Sequence, residues 1–183
     1  MRKTQQAAKI LTDGGVIAYP TEAVFGLGCD PLNEAAVMRL LHLKNRLPDK
    51  GVILIASSWP QLQSFVQYIP PDKLAKVLDT WPGPVTWVFP ASDYVPEWIR
   101  GAHTTVAVRV TAHPIASLLC KEFGKPIVST SANIEGHEPA RDEKTVQKVF
   151  NDKIDLLVSG QVGDHAKPTE IRDALTGKIL RAG

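Results

Sequence analysis

Three cations, Lys44, Arg46 and Lys50, fall within seven residues of sequence, with Arg39 upstream and only Asp49 to oppose them between 39 and 50. Two chemistries are open to such a cluster at the end of a predicted helix. Cations there complement the helix dipole and form a solvated last turn. Equally, three side chains converging from a helix end and the following loop can neutralise a triphosphate or a departing pyrophosphate. Spacing does not choose between the two.

Pro20-Thr21-Glu22 closes an apolar run, and the Thr21 hydroxyl, expected at a sheet edge and facing outward, either caps the turn or orients a small polar substrate. Just beyond it, Gly26-Leu27-Gly28 permits close backbone approach to another group. Ser129-Thr130-Ser131-Ala132-Asn133 brings hydroxyl and amide groups to the end of another strand, where α/β sheets bind ligands, and reads as a binding loop. Arg109 interrupts an apolar strand on the same face as Thr105. A half-buried guanidinium needs an anionic partner, either a structural carboxylate or that of a substrate. Arg181, at the end of the last strand, is open to the same two readings.

Other chemistries are missing. G-x-S-x-G is absent and no histidine is spaced to serve as its base, which argues against a serine hydrolase. Neither G-x-x-x-x-G-K-[ST] nor G-x-G-x-x-G occurs, so any nucleotide is held without a Walker loop or a dinucleotide fingerprint. The histidines at 42, 103, 113, 137 and 165 form no metal-binding spacing, and the four tryptophans read as core.

These residues sit in a chain of 183 residues, 44% hydrophobic and 22% charged, as expected of one globular domain over residues 1–183. A net charge of +2 is too small to attract polyanions globally, so local clustering must do so. The longest unbroken aliphatic stretch, 52–56, is far short of the ~20 residues that span a bilayer, and no export signal opens the chain. Cys29 and Cys120 read as buried thiols of a reducing cytoplasm.

A first helix carries Ile10 and Leu11, and residues 16–19 form a buried strand. Asn33 is placed to cap a helix whose Val37, Leu40, Leu41 and Lys44 share one face. A strand over 52–56 follows, then a helix from Ser58 with Leu62, Phe65, Val66 and Ile69 inward, ended by Pro70-Pro71, and a shorter helix from Asp72. Residues 85–89 and 104–110 are strands. The second alternates Val106, Val108 and Val110 against Thr105, Ala107 and Arg109. Further helices begin at Pro114 and behind an Asp142 cap, strands cover 125–130 and 154–158, and a hairpin turns about Thr176-Gly177. The sum is an α/β fold with one twisted mixed sheet flanked by helices.

Taken in order, Tyr19-Pro20-Thr21-Glu22, Gly26-Leu27-Gly28, Lys44-Asn45-Arg46 with Lys50, Trp81-Pro82-Gly83-Pro84-Val85-Thr86, Val106-Ala107-Val108-Arg109 with His113-Pro114, the 129–133 loop and Ile179-Leu180-Arg181 resemble the YrdC/TsaC family of threonylcarbamoyl-AMP synthases in its short form. The resemblance covers nearly the whole chain. It implies a fold like that of dihydroxybutanone-phosphate synthase. It also implies condensation of L-threonine, bicarbonate or CO₂, and ATP into threonylcarbamoyladenylate, with release of pyrophosphate and Mg²⁺ as counter-ion. Partners implied are tRNA and the complex that transfers the threonylcarbamoyl group to it, with no membrane and no DNA. By resemblance, Lys44, Arg46 and Lys50 hold the ATP phosphates and are the catalytic cations. Thr105, Ser131, Asn133 and Arg181 complete the nucleotide pocket. Thr21, Arg109, Ser129 and Thr169 hold threonine, and no metal ligand is assigned.

The chain departs from the family pattern at three places. Ile55 stands where longer members have a histidine, Ile134-Glu135-Gly136 replaces Leu-Ser-Gly, and Pro139 stands where a ligand-contacting serine occurs. An alternative from another class is a non-catalytic module that binds tRNA or double-stranded RNA through its backbone.

Overall fold

The computed structural model describes residues 2–165 and 168–183. Its sheet is mixed because its connections are of two lengths. β1 (Ile17–Pro20) and β2 (Phe25–Gly28) are separated only by residues 21–24, and β8 (Ile171–Asp173) and β9 (Ile179–Arg181) by residues 174–178. Both are antiparallel hairpins, as short connections require. Longer crossovers join β3 (Ile53–Ala56), β4 (Thr86–Pro90), β5 (Thr105–Val110), β6 (Ile127–Ser131) and β7 (Leu156–Leu157). The spatial order is β7-β1-β2-β6-β3-β5-β4-β8-β9, in which β1–β7, β3–β5 and β4–β8 are parallel and the other pairs antiparallel. This is the mixed α/β sheet that the sequence predicts.

The two faces are covered unequally. On one, α1 (Lys3–Thr12) and α5 (Pro114–Phe123) bury Ala7, Leu11, Ala116, Leu119 and Cys120 against Ile17, Tyr19, Ile55 and Ile127. On the other, α2 (Glu34–Lys44), α3 (Pro71–Leu78), α4 (Glu97–Arg100) and α6 (Glu143–Phe150) contribute to a larger core with Phe25, Leu27, Leu54, Phe89, Val106 and Val108. Thr105, Ala107 and Arg109 of β5 face away from that larger core, as their alternation requires. With Ser129 and Ser131 of β6 they line a cavity on the side of the sheet that α1 and α5 only partly cover.

Caps form where the sequence places them. The Asn33 side chain accepts the Ala36 N–H at 3.0 Å, and that of Asp142 accepts the Thr145 N–H at 2.8 Å. The helix expected from Ser58 does not form. Residues Trp59–Gln61 and Gln63–Phe65 make two 3-10 turns instead, because Val66 is extended and bridges Ala91, while the Gln67 N–H is taken by the Pro90 carbonyl. The strand expected over 154–158 contracts to Leu156–Leu157, and α4 is an element that the sequence reading does not anticipate.

β2 is also absent from that reading, since glycine is a poor strand former. Its Phe25 and Leu27 point into the larger core, whereas Gly26 and Gly28 lie beneath the Tyr19 side chain. A Cβ on Gly28 would stand 2.7 Å from the Val128 carbonyl oxygen and 2.8 Å from Tyr19 Cε1. Gly28→Ala is therefore expected to lower stability by about 1–3 kcal/mol through overpacking, read from the urea unfolding midpoint. An unchanged midpoint would contradict this account of β2.

Candidate active site

Lys44 follows Val37, Leu40 and Leu41 on the inner face of α2 and is 3% exposed. Its ammonium donates to the Ser131 carbonyl at 2.5 Å, the Asn133 carbonyl at 2.9 Å and Asn133 Oδ1 at 3.1 Å, so its three donors are spent on one loop. Ser131 Oγ donates to the same Oδ1 at 2.6 Å, and Asn133 Nδ2 donates to the Ile134 and His137 carbonyls. Burial, reinforced by Arg46, pulls the Lys44 pKa down to about 8. Lys44 thus stands behind the cavity wall and fixes the loop that forms it.

Past Lys44 the chain turns at Asn45, in the left-handed region at φ 54, and Arg46 and Lys50 come to the wall. Arg46 Nη2 donates to the Gly51 carbonyl at 3.1 Å, and its Nε has no hydrogen-bond partner among the described residues. Glu135 Oε1 lies 2.5 Å from Lys50 Nζ and 3.7 Å from Arg46 Nη1.

The other end is organised by Arg109, which is 4% exposed. Its Nη1 donates to the hydroxyls of Thr86 at 3.2 Å and Thr169 at 2.9 Å, and its Nη2 lies 3.4 Å from Glu22 Oε2. The Thr111 hydroxyl and the Ala112 N–H donate to Glu22 Oε1 at 2.6 and 3.1 Å. Burial alone would raise the Glu22 pKa, but Arg109 and these hydrogen bonds outweigh it and hold the carboxyl below its usual range. Glu22 is the structural carboxylate that the sequence left as one of two partners for Arg109. Arg109 still faces the cavity, and its Nε donor is unspent among the described residues.

Thr21 is buried beside β1, an interior strand of the sheet, rather than facing outward at an edge. Its hydroxyl donates to the Val24 carbonyl at 2.7 Å, so it caps the turn while still lining the cavity. Arg181 Nη2 donates to the Thr169 carbonyl at 2.7 Å. Burial, and then the neighbouring charge of Arg109, lower the Arg181 pKa.

The cavity holds about 480 Å³, within the ~300–1,000 Å³ usual for small-molecule sites. Of the residues expected from the sequence, Thr21, Arg46, Lys50, Thr105, Arg109, Ser129, Ser131, Thr169 and Arg181 line it, whereas Lys44 and Asn133 do not. Arg100 and His103 join the wall without having been expected. Their signal was faint, because α4 has only one turn. Pro139 also lines it, whereas Ile55 is buried under α1 and α5. Five basic side chains, those of Arg46, Lys50, Arg100, Arg109 and Arg181, therefore line the cavity with no carboxylate among the described lining residues, while Glu135 engages Lys50 and Arg46, and Glu22 engages Arg109, from beside it.

Comparison with known proteins gives one consistent result. The Sua5/YciO/YrdC family model, described as "Telomere recombination", matches residues 9–183. A threonylcarbamoyl-AMP synthase from Coxiella burnetii is 57% identical over 175 residues, covering 96% of this chain and 94% of its own. One from Nitrosococcus oceani is 50% identical over 179 residues, covering 98% and 97%. The crystal structure of P. abyssi Sua5 complexed with L-threonine superposes with a TM-score of 0.89 at 36% identity, covering 93% of this chain and 50% of that one. This chain thus spans half the length of the P. abyssi protein. E. coli YciO superposes with a TM-score of 0.86 at 26% identity, covering 98% and 88%.

The pairing of Glu22 with Arg109 makes a prediction about acid stability. A carboxyl held below its usual pKa adds stability above that usual value, near 4.5, which is lost as pH falls through the lowered one. Glu22→Gln leaves Arg109 without its buried counter-charge and should cost about 3–5 kcal/mol at pH 7. It should also flatten the fall in stability below pH 4.5, as measured by urea unfolding at several pH values. A variant with an acid limb as steep as that of the parent would refute the assignment.

Proposed function

The chain belongs to the Sua5/YciO/YrdC family, and from that premise we propose that it is a threonylcarbamoyl-AMP synthase. It condenses L-threonine, bicarbonate or CO₂, and ATP into L-threonylcarbamoyladenylate and pyrophosphate. The observation that carries this reading is the cavity wall, where five basic side chains and no carboxylate are described. All the reacting species but CO₂ are anions or carry a carboxylate, and such a wall screens their mutual repulsion.

In this reading, Arg109 takes the threonine carboxylate through its planar fork, with Thr21, Ser129 and Thr169 beside it. The neutral threonine amine bonds to the carbon of CO₂ with loss of a proton to solvent, or to that of bicarbonate with loss of water, and gives a carbamate. A carbamate oxygen then attacks the α-phosphorus in line, the bond from phosphorus to the bridging oxygen breaks, and pyrophosphate departs with that electron pair. Arg46 and Lys50 receive the phosphates, Thr105, Ser131 and Arg181 complete the nucleotide pocket, and Lys44 and Asn133 set the loop that carries Ser131. No covalent enzyme intermediate is needed. Among the described residues no three His, Cys, Asp or Glu side chains gather where they could hold a metal ion. A Mg²⁺ ion would screen charge on the phosphates.

We further read tRNA as the final acceptor, through a separate transfer complex, and the cytoplasm as the compartment. Among the described residues no helix is long and apolar enough to cross a membrane. Binding RNA without catalysis is not favoured, since the basic residues gather in a cavity of small-molecule size.

The purified chain should release pyrophosphate only when threonine, bicarbonate, ATP and Mg²⁺ are all supplied. Lys50→Ala should raise the KM for ATP about tenfold. Arg109→Lys keeps the charge but loses the fork. It should raise the KM for threonine about 30- to 100-fold while leaving that for ATP nearly unchanged. Turnover without threonine, or a threonine KM untouched in Arg109→Lys, would overturn the proposal.

A further inference from the structure

Arg46 and Lys50 are engaged by the chain itself. Glu135 Oε1 sits 2.5 Å from Lys50 Nζ and 3.7 Å from Arg46 Nη1, a single oxygen between two cations of the wall. Its backbone is anchored, because the Glu135 N–H donates to the Lys44 carbonyl at 2.8 Å at the end of α2. The side chain is less confined, being 34% exposed and reaching from a loop in which the next residue, Gly136, has φ +84. The carboxylate can therefore leave the cations by a side-chain rotation, without moving the loop that Lys44 holds.

Glu135 has the charge sign of a phosphate oxygen and occupies the same donors. We propose that Glu135 is an internal competitor for the polyphosphate end of the site, which must release Arg46 and Lys50 before phosphates bind and which reclaims them as pyrophosphate leaves. A carboxylate left in place beside an arriving polyphosphate would be repelled by it, so the two occupants exclude each other. Lys50, Arg46 and Lys44 together hold the carboxyl below its usual pKa, so the competitor is charged at neutral pH. The device weakens binding of substrate and product together, and favours turnover where product release is slow.

The inference rests on the reading of Arg46 and Lys50 as the phosphate-holding pair, and one experiment separates the two claims. Inorganic pyrophosphate is titrated calorimetrically into the full chain and into its Lys50→Ala, Glu135→Gln and Glu135→Asp variants. Lys50→Ala should bind more weakly. Glu135→Gln should bind about three- to tenfold more tightly, the effect of removing a partly exposed ionic competitor. Glu135→Asp, whose carboxylate is drawn back by one methylene, should fall between Glu135→Gln and the parent, and it gives the same direction should the glutamine variant fold poorly. In turnover, the inhibition constant for pyrophosphate and the KM for ATP should both fall by the same factor. A merely structural Glu135 would hold the two cations in place, and its loss would leave pyrophosphate binding unchanged or weaker. That result, with Lys50→Ala weakened, overturns the competitor alone; Lys50→Ala binding as tightly as the parent overturns the phosphate site and the competitor with it.

Discussion

Positive charge gathered on one patch of a sheet must be held there against its own repulsion, and the architecture of this protein follows from that constraint. At ~4 Å and an effective dielectric of about 20, two like charges repel by about 4 kcal/mol, comparable with a good part of a domain's net stability. The chain meets this by setting oxygen acceptors beside and behind the wall. Arg109 leans on Glu22, Thr86 and Thr169, Lys44 on the carbonyls of Ser131 and Asn133, Arg46 on the Gly51 carbonyl, and Arg181 on the Thr169 carbonyl. The carboxylates and backbone dipoles stabilise the cations, while the cavity keeps the sign that attracts anions.

The sheet supplies the geometry for this. A strand places alternate residues on opposite faces, so β5 commits Val106 and Val108 to the core and Thr105, Ala107 and Arg109 to the site with no further instruction. Because α1 and α5 cover only part of the site face, apolar side chains such as Ile55 and Ile127 finish the small core where the helices reach, and polar ones such as Ser129 line the cavity where they do not. One strand, β6, carries both, with Ile127 at its covered end and Ser131 at its open one.

What the sequence made legible, and what it hid, divides along the range of the interactions. The α2 cap at Asn33, the face shared by Val37, Leu40 and Leu41, and the β5 alternation are local patterns, and all appear in the structure. Lys44 is the instructive case. Its spacing placed it on the buried face, yet its charge drew it into a phosphate clamp. It does lie on that face, where the 131–133 loop supplies three acceptors that compensate the buried ammonium. Glu22 and Glu135 were invisible as electrostatic partners because Arg109 and Lys50 lie 87 and 85 residues away, and no periodicity reports such pairs. The helix expected from Ser58 fails for the related reason that Val66 and Gln67 are claimed by distant backbone at Ala91 and Pro90.

Thr169 shows how such long-range contacts join the two ends of the site. Its hydroxyl accepts from Arg109 on β5, and its carbonyl accepts from Arg181 on β9, so a single residue, two positions ahead of β8, is gripped by cations from two strands. Burial and the charge of Arg109 both disfavour a second cation there, as the lowered pKa of Arg181 records, and the Thr169 carbonyl offsets part of that cost. The hairpin of β8 and β9 is thereby held over the cavity by side chains that line it, as well as by β4, which pairs with β8 through Thr86 and Ile171. Thr86 in turn accepts from Arg109. Sheet register, hairpin position and the charge of the pocket are thus set by one connected group of side chains, so the guanidinium expected to recognise a carboxylate also positions the wall around it.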